Sequence, residues 1–238
     1  MLKVLDLCCG GQSVGLALHE MYGEQHVHYV TLDVDYKSQA TFNVDIREWD
    51  YSSHFPPGYF DVIWASPPCT EYSRAKTRGV RRLGEADSIA KKVFEIIDFY
   101  EPAYWFVENP ATGLLKTRDF MRQYRKYYHE CTYCKYGRPY KKPTSIWTNK
   151  PGLSLKHCTP EPCDHKTLYG IHAACSQSGL RKGFLSSTRR SAAYAIPRRL
   201  VLELFSGIYE EKGGGPVPVL GLGPGSEPEP QVEPGEAS

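Results

Sequence analysis

Two side chains in this 238-residue chain have the type and setting for covalent chemistry, Cys69 and Glu108. Cys69 closes the run Ala65-Ser66-Pro67-Pro68-Cys69, which follows the apolar stretch Phe60-Asp61-Val62-Ile63-Trp64. Paired prolines fix φ and donate no N–H, so a strand over that stretch must end there and leave the sheet in a stiff, extended loop. A thiol at the C-terminal edge of a strand sits where open α/β sheets bind ligands, and it is a nucleophile if a neighbour stabilises its thiolate. Glu108 closes a second apolar run, Tyr104-Trp105-Phe106-Val107, and faces the same edge, where a poorly hydrated carboxyl can hold or share a proton. Further acids mark earlier strand ends. Asp6 precedes the glycine turn Cys9-Gly10-Gly11, Asp33 and Asp35 follow His28-Tyr29-Val30-Thr31-Leu32, and Asp45 lies in Phe42-Asn43-Val44-Asp45-Ile46. A carboxylate offers two acceptor oxygens and no donor, so Asp33 or Asp35 suits both hydroxyls of a ribose, and Asp45 suits an exocyclic amine. The glycine turn lacks a Walker lysine and the full dinucleotide spacing, which favours a nucleoside-type cofactor over a phosphate cradle.

The elements that must position these groups alternate between strand and helix. A strand over residues 3–8 leads through the glycines into a helical run with Val14, Leu16, Ala17 and Leu18. Ile89, Val93, Ile96, Ile97 and Tyr100 predict an amphipathic helix over residues 87–100, stopped by Pro102. Phe120, Tyr124, Tyr127 and Tyr128 predict another helix, and residues 132–137 with 144–149 a hairpin. A last helix lies within residues 194–208, with Pro197 at its start. This alternation predicts an α/β fold around a doubly wound, mostly parallel sheet. The expected divisions are a catalytic core over residues 1–149, an irregular Cys- and His-rich region over 150–190, a returning helix over 191–212 and a disordered Gly/Pro/Glu tail over 213–238.

Composition narrows the partners. The net charge is +2, but the tail holds four glutamates and no basic residue, leaving about +6 on residues 1–212. A basic body suggests an anionic partner, and the arginines and lysines of residues 74–84 predict a mobile basic loop directly after Cys69. No apolar run approaches the ~20 residues that span a bilayer, and no signal peptide precedes the first strand, so an intracellular, membrane-free monomer with reduced thiols is expected.

Asp6-Leu7-Cys8-Cys9-Gly10, Pro68-Cys69 with Ser73, Glu108-Asn109-Pro110, the segment 136–142 and Tyr194-Ala195-Ile196-Pro197 resemble, in order and spacing, the motifs of cytosine-C5 DNA methyltransferases, most of all the compact forms of phages and large viruses. The resemblance implies an S-adenosylmethionine-dependent fold in which Cys69 attacks C6 of a flipped cytosine and Glu108 bonds N3 and the exocyclic amine. It implies a cofactor held by Asp6, Cys8, Gly10, Asp33, Asp45 and Pro67. Ser73, Arg74, Lys76, Arg78, Arg81 and Lys141 would meet the DNA. RNA stays open as an alternative substrate.

The family's Gln-x-Arg-x-Arg segment reads Tyr140, Lys142 and Thr144 here, so Lys142 is expected to act as a point charge without the guanidinium's bidentate fork. Two of the usual glycines of the first motif are Gln12 and Ser13. The region between the lysine segment and the last helix, which the resemblance assigns to target recognition, is short. Within it and just upstream, Cys134, Cys158, Cys163 and His165 have a composition a structural zinc could use, although reduced thiols without metal are the default expectation. Two other readings remain: a base amino-methyltransferase using Ser66-Pro67-Pro68, and a catalytically silent nucleic-acid-binding relative.

Overall fold

The computed structural model describes residues 1–158, 163, 172, 174–175, 179–180 and 194–215. Its first strand, β1 (Leu2–Leu7), is buried on both faces, as an apolar run inside a parallel sheet must be. β1 runs parallel to β2 (Val27–Asp33) on one side and to β4 (Val62–Ala65) on the other. β2 carries the two-residue β3 (Phe42–Asn43), and β4 is followed by β5 (Tyr104–Pro110), again in parallel. β7 (Pro143–Thr148) enters antiparallel between β5 and β6 (Tyr128–Thr132), so the described strands of this sheet take the order β3-β2-β1-β4-β5-β7-β6. The chain winds outwards in opposite directions from β1 and β4, and a ligand crevice opens where such winding reverses. A separate two-stranded ribbon pairs β8 (Ala174–Cys175) with β9 (Gly179–Leu180).

Helices cover both faces of the sheet. α1 (Ser13–Tyr22) and α4 (Arg198–Phe205) pack on one face, over Leu2, Val4, Trp64 and Phe106. α3 (Leu83–Tyr100), the short α2 (Tyr51–His54) and the 3-10 helix Asp119–Tyr127 cover the other, over Leu5, Leu7, Ile63 and Val107. Successive strand residues point to opposite faces, so Asp6 shares the α1 face with Val4, and Glu108 shares it with Phe106. Asp6 pairs with Trp64 and Trp64 with Phe106, which sets Glu108 one step further out along the same face.

Several element bounds differ from the sequence expectation. α3 begins at Leu83 and takes up the end of the basic loop; it stops at Tyr100 because Glu101 turns left-handed at φ 46° before Pro102. β3 is cut to two residues as the chain turns at Asp45, whose C=O accepts the N–H of Glu48 at 2.9 Å. The expected helix around Phe120 is a 3-10 helix that ends at Tyr127, and Tyr128 opens β6. The hairpin's first arm therefore lies earlier than expected, and residues 133–136 form a 3-10 turn (Tyr133–Tyr136). The last helix breaks at Ser206 and Gly207 before α5 (Ile208–Glu211). No described helix is long and apolar enough to cross a membrane. Most of residues 150–190 and all of 216–238 lie outside the described residues, and with them the expectations for that insertion and tail.

Candidate active site

The loop that presents Cys69 is fixed at both ends. Ser66 still donates its N–H to Leu7 C=O at 3.0 Å, one residue past β4, before the two prolines close the ladder. Asn109, wholly buried on β5, donates its side-chain amide to Pro67 C=O at 2.8 Å and ties the two neighbouring strand exits together. Beyond Cys69, the buried Tyr72 donates its hydroxyl to Asp87 Oδ1 at 2.9 Å. Asp87 in turn receives the Arg118 guanidinium at 2.7–3.1 Å. Sequence spacing alone assigns no role to Asn109, Tyr72, Asp87 or Arg118.

These strand exits open on a cleft of about 600 Å³. Cys69, Glu108 and Lys142 line one part of it; Asp6, Cys8, Gly10, Asp33, Asp35 and Pro67 line the rest, with residues 194–196 along its rim. Cys69 is half-buried; burial pushes its thiol above the ordinary value, the charge of Glu108 adds to this, and the charge of Lys142 opposes it. Glu108 is only 6% exposed. Its Oε1 accepts from the Tyr133 hydroxyl at 3.1 Å and lies 3.8 Å from Lys142 Nζ. Lys142 Nζ also stands 4.6 Å above the Tyr133 ring, so one tyrosine places both the carboxylate and the cation. Nothing in the sequence spacing singles out Tyr133.

On the other side of the cleft, Asp6 Oδ2 accepts from the Tyr29 hydroxyl, whereas Oδ1 has no hydrogen-bond partner among the described residues. Burial pushes the Asp6 carboxyl up to about 7, against the Tyr29 hydrogen bond and with help from the charge of Asp33. Asp33 accepts the Gly10 N–H on Oδ2 and the Asp35 N–H on Oδ1, both at 2.8 Å, and each oxygen keeps a lone pair for a further donor. Gly10 and Gly11 have nothing within 4 Å of where a Cβ would stand, so the floor beside Asp33 is open. Asp35 spends Oδ1 on the Lys37 N–H at 3.0 Å. Cys8 takes φ 58°, and burial drives its thiol far above the ordinary range. Asp45 is not among the cleft walls: the Arg47 guanidinium grips its carboxylate and holds it below the usual range. At the start of α1, Gln12 adopts the left-handed φ of 53° that a glycine would take without strain, secured by its amide on Ser38 C=O at 2.7 Å and Gln39 C=O at 3.3 Å. Ser13 Oγ accepts the Ile196 N–H at 2.9 Å and draws the returning segment onto the cleft.

The basic loop divides into two sets. Lys76 Nζ is held by both Glu71 oxygens at 2.5 and 2.6 Å. Arg81 donates to the carbonyls of Glu71, Ser73 and Lys76 at 2.7–2.9 Å. Ser73 Oγ accepts the Ala75 N–H at 3.2 Å. These three residues fold the loop, whereas Arg74, Arg78 and Lys141 are exposed. Among the candidate metal ligands, Cys134, Cys158 and Cys163 come together, and His165 lies outside the described residues.

The sheet, its winding and the acids along its cleft define an α/β protein of the S-adenosylmethionine-dependent methyltransferase type. The sequence profile of the C-5 cytosine-specific DNA methylases matches residues 2–136. A protein of frog virus 3 (isolate Goorha), described as a probable DNA (cytosine-5)-methyltransferase, is 31% identical over 222 residues, covering 85% of this chain and 98% of the viral one. The chain belongs to the C-5 cytosine-specific DNA methylase family. Among solved structures, the S. pombe Dnmt2 methyltransferase matches 65% of this chain and 52% of its own, at 14% identity and a TM-score of 0.45. The Entamoeba histolytica methyltransferase EhMeth matches 67% of this chain and 57% of its own, at 13% identity and a TM-score of 0.46. The chain spans just over half the length of these two solved chains.

Proposed function

We propose that this protein methylates C5 of cytosine in DNA through a covalent bond between Cys69 and C6 of a base turned out of the helix. The observation that carries the reading is a single cleft with a thiol, a carboxylate and a cation on one side and an orphaned carboxylate oxygen on the other. The second side fits S-adenosylmethionine: Asp6 Oδ1 is a buried acceptor for a cationic amine, and Asp33 retains acceptor capacity for ribose hydroxyls beside the open glycine floor. Bound there, S-adenosylmethionine supplies an electrophilic methyl group.

Cytosine is a weak electrophile, so its ring must be activated by a nucleophile that also leaves. The Cys69 thiolate adds to C6, and the displaced electron pair builds charge at N3 and electron density at C5. Glu108 holds a proton or a hydrogen bond at N3 and the exocyclic amine as this charge forms, and Lys142 screens the carboxylate–thiolate pair. C5 then carries the electron pair that the methyl group of a cofactor held by Asp6 and Asp33 would accept, its bond to the sulfonium breaking and the neutral thioether leaving. Loss of the C5 proton to a base and expulsion of the Cys69 thiolate then restore the aromatic ring. The reacting edge of cytosine is inaccessible to this cleft in a stacked duplex, which is why flipping belongs to the reading.

A duplex containing 5-fluorocytosine tests it, because fluorine at C5 cannot leave as a proton and traps the adduct. Incubation with S-adenosylmethionine is expected to give a denaturant-stable protein–DNA species mapped to Cys69 and absent from Cys69→Ser. If the wild-type protein binds both ligands and forms no adduct, the covalent mechanism is wrong.

A further inference from the structure

Three cysteines and a histidine outside this chemistry converge on one point. Cys134 lies in the turn Tyr133–Tyr136, and Cys158, Cys163 and His172 lie beyond β7. Their sulfur and ring-nitrogen atoms all fall within 4.8 Å of one another. Cys158 Sγ and Cys163 Sγ each stand 3.5 Å from His172 Nε2. Tetrahedral zinc, with Zn–S of about 2.3 Å and Zn–N of about 2.0–2.1 Å, separates a sulfur from a nitrogen ligand by roughly 3.6 Å. Two edges of the cluster therefore already have the length that such an ion imposes.

Hydrogen bonding and disulfide formation both account poorly for the cluster. A thiol is a poor hydrogen-bond partner, which gives little reason to gather three thiols around one imidazole. None of the three cysteines is in a disulfide. Most of the cluster is withdrawn from water, with Cys134 at 3% exposure and Cys163 and His172 at 9%, while Cys158 is half-buried. The backbone delivers the second ligand to the first: Thr132 N–H donates to Lys156 C=O at 3.0 Å, and Lys156 N–H donates to the Tyr136 hydroxyl at 2.9 Å. Cys158 follows that anchor by two residues, and Cys134 lies between its two ends.

We propose that Cys134, Cys158, Cys163 and His172 bind one structural zinc ion, which fastens the chain beyond β7 to the turn that carries Tyr133. Four protein ligands leave no position open for water or substrate, so the role is structural. The residue next to Cys134 in sequence is the tyrosine that bonds Glu108, so the ion also stiffens one wall of the cleft. The ion would be bound whether or not the methyl-transfer mechanism holds, so the proposal stands or falls on metal content.

The test uses the full chain purified without chelator. Elemental analysis is expected to find one equivalent of zinc. The chelated protein reloaded with Co²⁺ should show thiolate-to-cobalt charge-transfer absorption and the strong visible bands of tetrahedral cobalt. Cys158→Ser and Cys163→Ser should lose the equivalent, Cys131→Ala, a buried cysteine outside the cluster, should keep it, and His172→Cys should keep a tetrahedral site of four thiolates. Circular dichroism separates lost metal from lost fold. Folded wild-type protein that takes up no zinc after reloading overturns the proposal. One equivalent of iron in place of zinc, or full zinc retention by Cys158→Ser and Cys163→Ser, overturns it equally.

Discussion

Cys69 can add to cytosine only as a thiolate, yet its surroundings favour the thiol, through burial first and the Glu108 charge second, with Lys142 pulling the other way. Alkylation of Cys69 by iodoacetamide in the ligand-free protein should therefore be slow at neutral pH and should speed up as pH rises past the ordinary thiol range. Glu108→Gln removes the raising charge and should move the pH–rate profile down, whereas Lys142→Met removes the lowering charge and should move it up. Peptide mapping by mass spectrometry isolates Cys69 from the other cysteines, and profiles that move together in the two variants would sink the electrostatic account. Asp6 gives a second pH test. Its carboxyl rises from the ordinary 3.8 to about 7 in the folded protein, so between those values the folded state holds a proton that the unfolded chain has lost. The Asp6 share of the ligand-free protein's stability consequently falls as pH rises through that window. A cofactor that presents an ammonium group needs Asp6 ionised, so binding must expel the proton below about pH 7, and affinity should weaken about tenfold per unit as pH drops from 7 to 5. Calorimetry checks both halves: Asp6→Asn should bind more weakly at neutral pH and lose this pH dependence.

Among the elements, the strand exits were legible because prolines, glycines and acids mark them in the chain itself. The parts that hold those exits were not, because their partners are distant in sequence. Asn109 reaches back to Pro67 across 42 residues and Tyr133 reaches Glu108 across 25, and no local pattern encodes either contact. Asn109→Ala leaves the Pro67 carbonyl buried without its donor and should cost about 1–3 kcal/mol in denaturant unfolding. The basic loop differs in what its sequence leaves open. Its cations read alike in sequence, yet Lys76 and Arg81 are consumed by Glu71 and by carbonyls, while Arg74 and Arg78 face solvent. Each phosphate contact removed lowers the slope of log affinity against log salt by about 0.9 for duplex DNA. Arg74→Ala and Arg78→Ala should each lower that slope by up to this amount, whereas Lys76→Met should leave it nearly unchanged and instead destabilise the loop. A slope reduced most by Lys76→Met would show that the loop opens on DNA and releases its internal pairs.

For the whole molecule, alternation of strands and helices foretold the parallel sheet, but the entry of β7 between β5 and β6 is a tertiary choice that a hairpin pattern leaves open. The returning segment was legible from Pro197 and the apolar spacing after it, while its closing role rests on contacts made at the far end of the chain. Ile196 bonds Ser13, Arg198 pairs with Glu20, and the Tyr22 hydroxyl donates to Phe205 C=O at 3.1 Å. Among the described residues, Gly214 N–H donates to Tyr209 C=O at 3.0 Å. Beyond Gly215 the sequence adds four glutamates and no basic residue, so these 23 residues bring a +6 body down to the net +2 of the full chain. Net charge acts on association with a polyanion rather than on packing. Truncation after Gly215 should accordingly tighten non-specific duplex binding at low ionic strength. The gain should shrink as salt rises, because the screening length falls from about 30 Å at 0.01 M to about 3 Å at 1 M. Fluorescence anisotropy of a labelled duplex across that range measures the difference, and equal affinities at low salt would show that the acidic segment lies too far from the DNA face to act on it.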